Sequence, residues 1–114
     1  MKKAYDNHSA DSLIPLLRVI QREIRERSDA VRILENRLRA FSLDQADSSA
    51  FLAVRAELSN HRREIRLSKK ELERIGCALD AGQPNRVLIP GRNGELDAGF
   101  SWALGDTRVQ AIMG

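Results

Sequence analysis

Residues 51–76 read FLAVRAELSNHRREIRLSKKELERIG, and the spacing of their apolar side chains decides the fold. Phe51, Val54, Leu58, Ile65, Leu72 and Ile75 follow steps of three and four once His61 and Ser68 fill the two remaining slots. A helix turns about 100° per residue, so this spacing lays one stripe along one side. Gly76 follows the last stripe residue, where a left-handed glycine ends helices. Arg55, Arg62 and Lys69 run along one edge of the stripe, and Glu57, Glu64 and Glu71 along the other. The segment predicts a helix roughly 28 residues and ~40 Å long.

The preceding stretch repeats the pattern. Leu13, Leu17, Ile20, Ile24, Val31, Leu34, Leu38 and Phe41 form a second stripe, with Arg27 in a slot that is usually apolar. Residues 42–49, SLDQADSS, are rich in turn and capping types, and Asp47 or Ser48 is the expected second N-cap. Ser9, Asp11 and Ser12 offer caps for the first helix. With Ser12 as the cap, Pro15 falls harmlessly in the first turn; a start at Ser9 would kink the helix there.

The expectation is a mainly α fold. A loose N-terminus over 1–8 leads into an antiparallel two-helix coiled-coil hairpin over 9–76. With the turn near residue 45, Phe41 faces Phe51, Arg37 approaches Glu57, and Glu35 approaches Arg55. Arg27 then sits one layer from His61, with Glu23 and Glu64 nearby.

After Gly76 the periodicity changes. Residues 78–85 read as a loop, and Arg86–Pro90 as a short strand. Asn93-Gly94 carries a hairpin signal, Glu95–Leu104 can form a second strand, and Gly105-Asp106 a turn before a third over Thr107–Ile112. Residues 77–114 should therefore add a small three-stranded antiparallel β-meander to the same domain. Phe100 and Trp102, two apart, would face one side and pack on the helix ends.

Several strings together resemble a bacterial family of uncharacterised proteins, domain of unknown function 2203. They are Leu13-Ile-Pro-Leu-Leu-Arg18, Glu71-Leu-Glu-Arg-Ile-Gly-Cys77, Ile89-Pro-Gly-Arg-Asn-Gly94 and Phe100-Ser-Trp-Ala-Leu-Gly105. The resemblance spans roughly residues 9–109 and implies the same order of elements, with no activity attached. Family members usually continue into a Trp-His segment and a glycine-rich tail, which this sequence, ending at Met113-Gly114, lacks.

Composition narrows the function classes. The 114 residues suit one domain, and 42% hydrophobic with 4% aromatic favours aliphatic helix packing over disorder. A net charge of +3 permits an anionic partner without demanding one. Cys77 is the only cysteine, so neither an intrachain disulfide nor a cysteine metal cluster can form, and a cytoplasmic location is expected. The run Leu13–Leu17 is broken by Pro15 and closed by Arg18, far too short for a membrane span. There is no nucleophile elbow, phosphate-binding glycine loop or metal-spaced set. The protein is expected to be no enzyme, with no metal, no cofactor and no evident small-molecule substrate.

Three residue sets remain. Arg27, His61 and Ser68 interrupt the seam, either as a small polar pocket or as buried groups that fix register. Arg18, Arg25, Arg32 and Arg39 recur every seven residues with Arg22 beside them; Arg62, Arg63, Arg66, Lys69 and Lys70 form a second basic cluster. These either contact RNA, a ribosome or an acidic protein, or are a solvated helix face. Leu16, Val19, Ala30 and Ile33, with Leu52 and Leu67, widen the apolar surface beyond what two helices can bury. A homodimer forming a four-helix bundle would cover it. The expected function is a non-enzymatic protein–protein interaction or assembly module, self-associating through the hairpin. The alternative is an RNA- or ribosome-associated protein using the arginine stripes.

Overall fold

The computed structural model describes residues 3–112. Met1, Lys2, Met113 and Gly114, the outer ends of two expected segments, lie outside the described residues. Three helices, α1 (Asn7–Asp11), α2 (Ile14–Ala40) and α3 (Ser49–Arg74), precede four strands.

Helix α1 opens at a capping box. The Asp6 carboxylate accepts from the Ser9 N–H at 2.8 Å, and Ser9 Oγ accepts from the Asp6 N–H at 2.9 Å. Pro15 has no N–H for the Asp11 carbonyl, so the chain breaks at Ser12–Leu13 and restarts as α2. Ser12 is thus not the cap of the long helix; its hydroxyl donates to the His8 carbonyl at 3.0 Å. Tyr5, inside the segment expected to be loose, donates its hydroxyl to the Ile75 carbonyl at 2.7 Å.

A 3-10 turn over Leu43–Gln45 joins α2 to α3, and Ser48 caps α3 by accepting from the Phe51 N–H at 3.2 Å. Helix α3 ends as its glycine demands. Gly76 has φ +80°, the Cys77 N–H reaches the Leu72 carbonyl at 2.9 Å, and the Gly76 N–H reaches Glu73 at 2.9 Å.

The two long helices pack antiparallel, and Phe41 meets Phe51 edge-to-face at 5.4 Å between ring centroids. The ion pairs expected beside them are not the ones that form. Glu35 pairs with Arg62 at 3.3 Å and with Arg39 at 3.7 Å, while the Arg55 guanidinium lies over the Phe51 ring at 5.8 Å. Arginine is long and flexible enough to reach the turn above or below its own, so backbone register alone does not choose its partner.

The sheet has four strands, β1 (Ala78–Leu79), β2 (Arg86–Ile89), β3 (Phe100–Ala103) and β4 (Gln110–Ala111), in sequential antiparallel order. The expected count of three was one short. A two-residue strand such as β1 has no alternation to detect, and only its pairing with Leu88 and Val87 makes it a strand. The second expected strand was also too long. Arg86 opposes Ala103 and Ile89 opposes Phe100, which leaves residues 90–99 as the connection. Within it, Asn93-Gly94 makes a local turn, with the Gly94 N–H on the Gly91 carbonyl at 2.9 Å. The rest folds back on β2 so tightly that a Cβ on Gly99 would overlap the Ile89 carbonyl oxygen.

The core gathers at the sheet end. Ile14, Leu17, Ile20 and Ile24 of α2 and Leu72 of α3 surround Val87, Ile89 and Trp102. Trp102 is fully buried as expected, its indole N–H donating to the Asp106 carbonyl at 2.9 Å. Asp11 ties α1 in by accepting from the Val109 N–H at 2.8 Å. Toward the loop only Leu34 and Leu58 are buried hydrophobics. The molecule measures 56 × 26 × 24 Å with a radius of gyration of 17.8 Å, against about 13 Å for a compact domain of this length. The hairpin therefore projects from a small core.

Candidate interaction surfaces

The polar seam residues fall into one contact group and one outlier. Arg27 Nε donates to Glu23 Oε1 at 2.7 Å, and Arg27 Nη1 lies 3.1 Å from His61 Nδ1. Arg27 and His61 thus touch directly rather than sitting a layer apart. A guanidinium has only donors, so His61 Nδ1 is the accepting atom in this contact. The Glu23 hydrogen bond raises the Arg27 pKa, partial desolvation opposes it, and the charges of Glu23 and Glu64 add to it. Ser68 is buried two turns further along α3 and makes no contact with this group. The arrangement is a salt bridge within α2 whose arginine also makes a hydrogen bond across to α3 at mid-length.

That bridge also shows which residues share a side of the hairpin. Glu23 and Glu64, both near Arg27, occupy one flank. Glu35 and Arg62 meet across the other flank. At the sheet end of that second flank, a cleft of about 320 Å³ is lined by Gln21, Arg25, Ser28 and Asp29 of α2, Lys69 of α3, and Pro84 and Asn85. Helical periodicity extends these assignments. Glu23, Glu57, Glu64 and Glu71 recur on the first flank, and Arg55, Arg62 and Lys69 on the second.

The anionic-partner residues are mostly solvent-facing. Arg18 is half-buried beside the sheet, whereas Arg22, Arg25, Arg32, Arg39, Arg62, Arg63, Arg66, Lys69 and Lys70 are exposed. Arg32 pairs with Asp29, Arg39 and Arg62 share Glu35, and Arg63 pairs with its neighbour Glu64.

The apolar set is exposed along the acidic flank. Val19 is 67% accessible and Ile33 53%, with Leu16 close to half exposed and Ala30 partly covered between them. Leu67 joins them from α3. Leu52 lies ~22 Å further along α3, near the loop, and does not extend the patch. Leu43, in the loop itself, is 98% exposed and was not singled out by periodicity because it lies outside both helices.

A family model described as an uncharacterized conserved protein, domain of unknown function 2203, covers residues 3–112. The chain belongs to that family. No curated protein and no solved structure matches it.

Other features of this family member carry less chemistry. Among the described residues, no three His, Cys, Asp or Glu side chains gather as a metal site would require. No helix among them is long and apolar enough to cross a membrane. Cys77 is buried, and burial pushes its thiol up to about 12. Sequence reading missed Gln21, which sits one position off the seam. Its amide donates to the Pro84 carbonyl at 3.0 Å while Oε1 is buried without a partner. Nothing in the local sequence announces that contact, because Pro84 arrives from the far end of the chain.

Proposed function

We propose that this family member is a non-enzymatic assembly module that self-associates through the acidic, apolar flank of its helical hairpin, which we read as a coiled coil. One observation carries the proposal. Leu16 and Val19, then Ile33 with the partly covered Ala30, put apolar surface on one flank of a helix whose own partner and sheet lie elsewhere. Burying such side chains contributes about 1–2 kcal/mol each.

Charge supports a particular pairing. If α2 packs antiparallel on α2 of a second copy about Ala30, Glu23 comes level with Arg37 of the second copy. Val19 then comes level with Phe41 of the second copy, close to its exposed Leu43. The small Ala30 side chain at the crossing lets the helices approach closely. The lone buried cysteine suits a module working in the cytoplasm.

Sedimentation analysis should show a dimer at tens of micromolar. Val19→Glu combined with Ile33→Glu should weaken the dimer by about a thousandfold or more, since both copies lose two buried apolar contacts and the interface loses four. A wild-type chain that stays monomeric at high micromolar concentration would refute self-association.

A further inference from the structure

Arg18, Arg25 and Arg32 of α2 and Arg55, Arg62 and Lys69 of α3 share the flank opposite the apolar line. The Arg62–Glu35 pair fixes that placement toward the loop, and the cleft lined by Arg25 and Lys69 fixes it toward the sheet. The other flank carries Glu23, Glu57, Glu64 and Glu71. The segregation is partial, since Asp29 and Glu35 stand on the basic flank beside Arg32 and Arg62, and Arg27 stands among the glutamates of the other. Among the described residues, Arg18, Arg25 and Lys69 make no ion pair.

We propose that this basic flank binds the phosphate backbone of a double-stranded nucleic acid without reading its sequence. Arginine presents a planar fork of donors that matches phosphate oxygens. Cations seven residues apart rise ~10 Å per step along each helix, and packed helices lie about 8–10 Å apart. Two parallel rows of charge on that scale match the phosphate strands bordering a groove, about 12 Å apart in a B-form major groove. Phe51 is covered by Arg55 and Trp102 is buried in the core, so neither offers a platform for unpaired bases. That favours a duplex over a single strand.

Fluorescence anisotropy of the full chain with labelled RNA and DNA duplexes tests the proposal. Each phosphate neutralised contributes about 0.9 to the slope of log affinity against log salt. Six engaged cations predict a slope near −5, or roughly a thousandfold loss between 50 and 200 mM salt. Arg25→Glu, Arg32→Glu and Arg62→Glu together should abolish binding, and the corresponding glutamine set should flatten the slope by about 3. Val19→Glu, on the opposite flank, should leave binding intact, so a failure of self-association is distinguishable from a failure here. A preference for one duplex type identifies the source of the phosphates and supports the site. Three results overturn it: no retention of either duplex at low salt, tighter binding of polyglutamate or single strands, or wild-type affinity in the glutamine set.

Discussion

Cys77 follows Gly76 directly, and its neighbours close over it so that 2% of its surface is exposed. Burial disfavours the thiolate and raises its pKa from 9.0 to about 12. Nucleophilic attack needs the thiolate, so this sulfur should be inert toward alkylation in the folded chain and reactive in denaturant. Quantifying modified thiol at pH 8, with and without urea, checks this. The same shift makes folding depend on pH. The unfolded chain releases this proton near pH 9, whereas the folded chain holds it until about 12. The contribution is therefore complete below pH 9 and lost as pH rises from 9 through 12. Denaturant midpoints should fall over that window, and Cys77→Ala should blunt the fall. The sequence placed Cys77 at a helix end, where it could have been exposed. The Leu72 carbonyl capping its N–H, and the core beneath, decided otherwise.

The elements differ in how openly the sequence declares them. Helices α2 and α3 were legible because their apolar positions repeat at the helical period, and Gly76 and Ser48 marked two of the four ends. Pro15 showed where a break would fall without showing that a separate helix precedes it. The strands were harder. Strand β2 has four residues in a row to read, but β1 and β4 have two each, too few for any periodic signal. The connection 90–99 carries the clearest element-scale prediction. Gly99 lies against the Ile89 carbonyl and the Gly91 N–H, so a methyl group there forces the loop off β2. Gly99→Ala should destabilise the fold by about 1–3 kcal/mol, the usual cost of overpacking. At about 4–8 °C per kcal/mol, thermal melting would show it plainly. An unchanged melting temperature would mean that the connection does not need this close approach.

At the scale of the molecule, packing is uneven along the long axis. The sheet end holds nearly all the buried side chains, whereas toward the loop Leu34 and Leu58 stand alone. Local opening follows the density of buried contacts, so amides around Leu17 and Leu72 should exchange slowest. Those around Phe41 and Phe51 should exchange orders of magnitude faster in the monomer. Hydrogen exchange followed by mass spectrometry reads this gradient directly. Uniform protection from end to end would contradict it, unless it rises with concentration as self-association requires.

The opening stretch, residues 51–76, determined by itself that there would be a long helix, where it stops, and which charges run beside its seam. Those properties follow from the period of a single chain, and covalent geometry sets that period. The same stretch could not say that His61 touches Arg27, or that Glu35 pairs with Arg62 rather than with Arg55. Nor could residues 77–112 announce β1, or the Pro84 carbonyl that meets Gln21. Each of these depends on groups far apart in sequence arriving at one place. Only the packing of helices on each other and on the sheet brings them there.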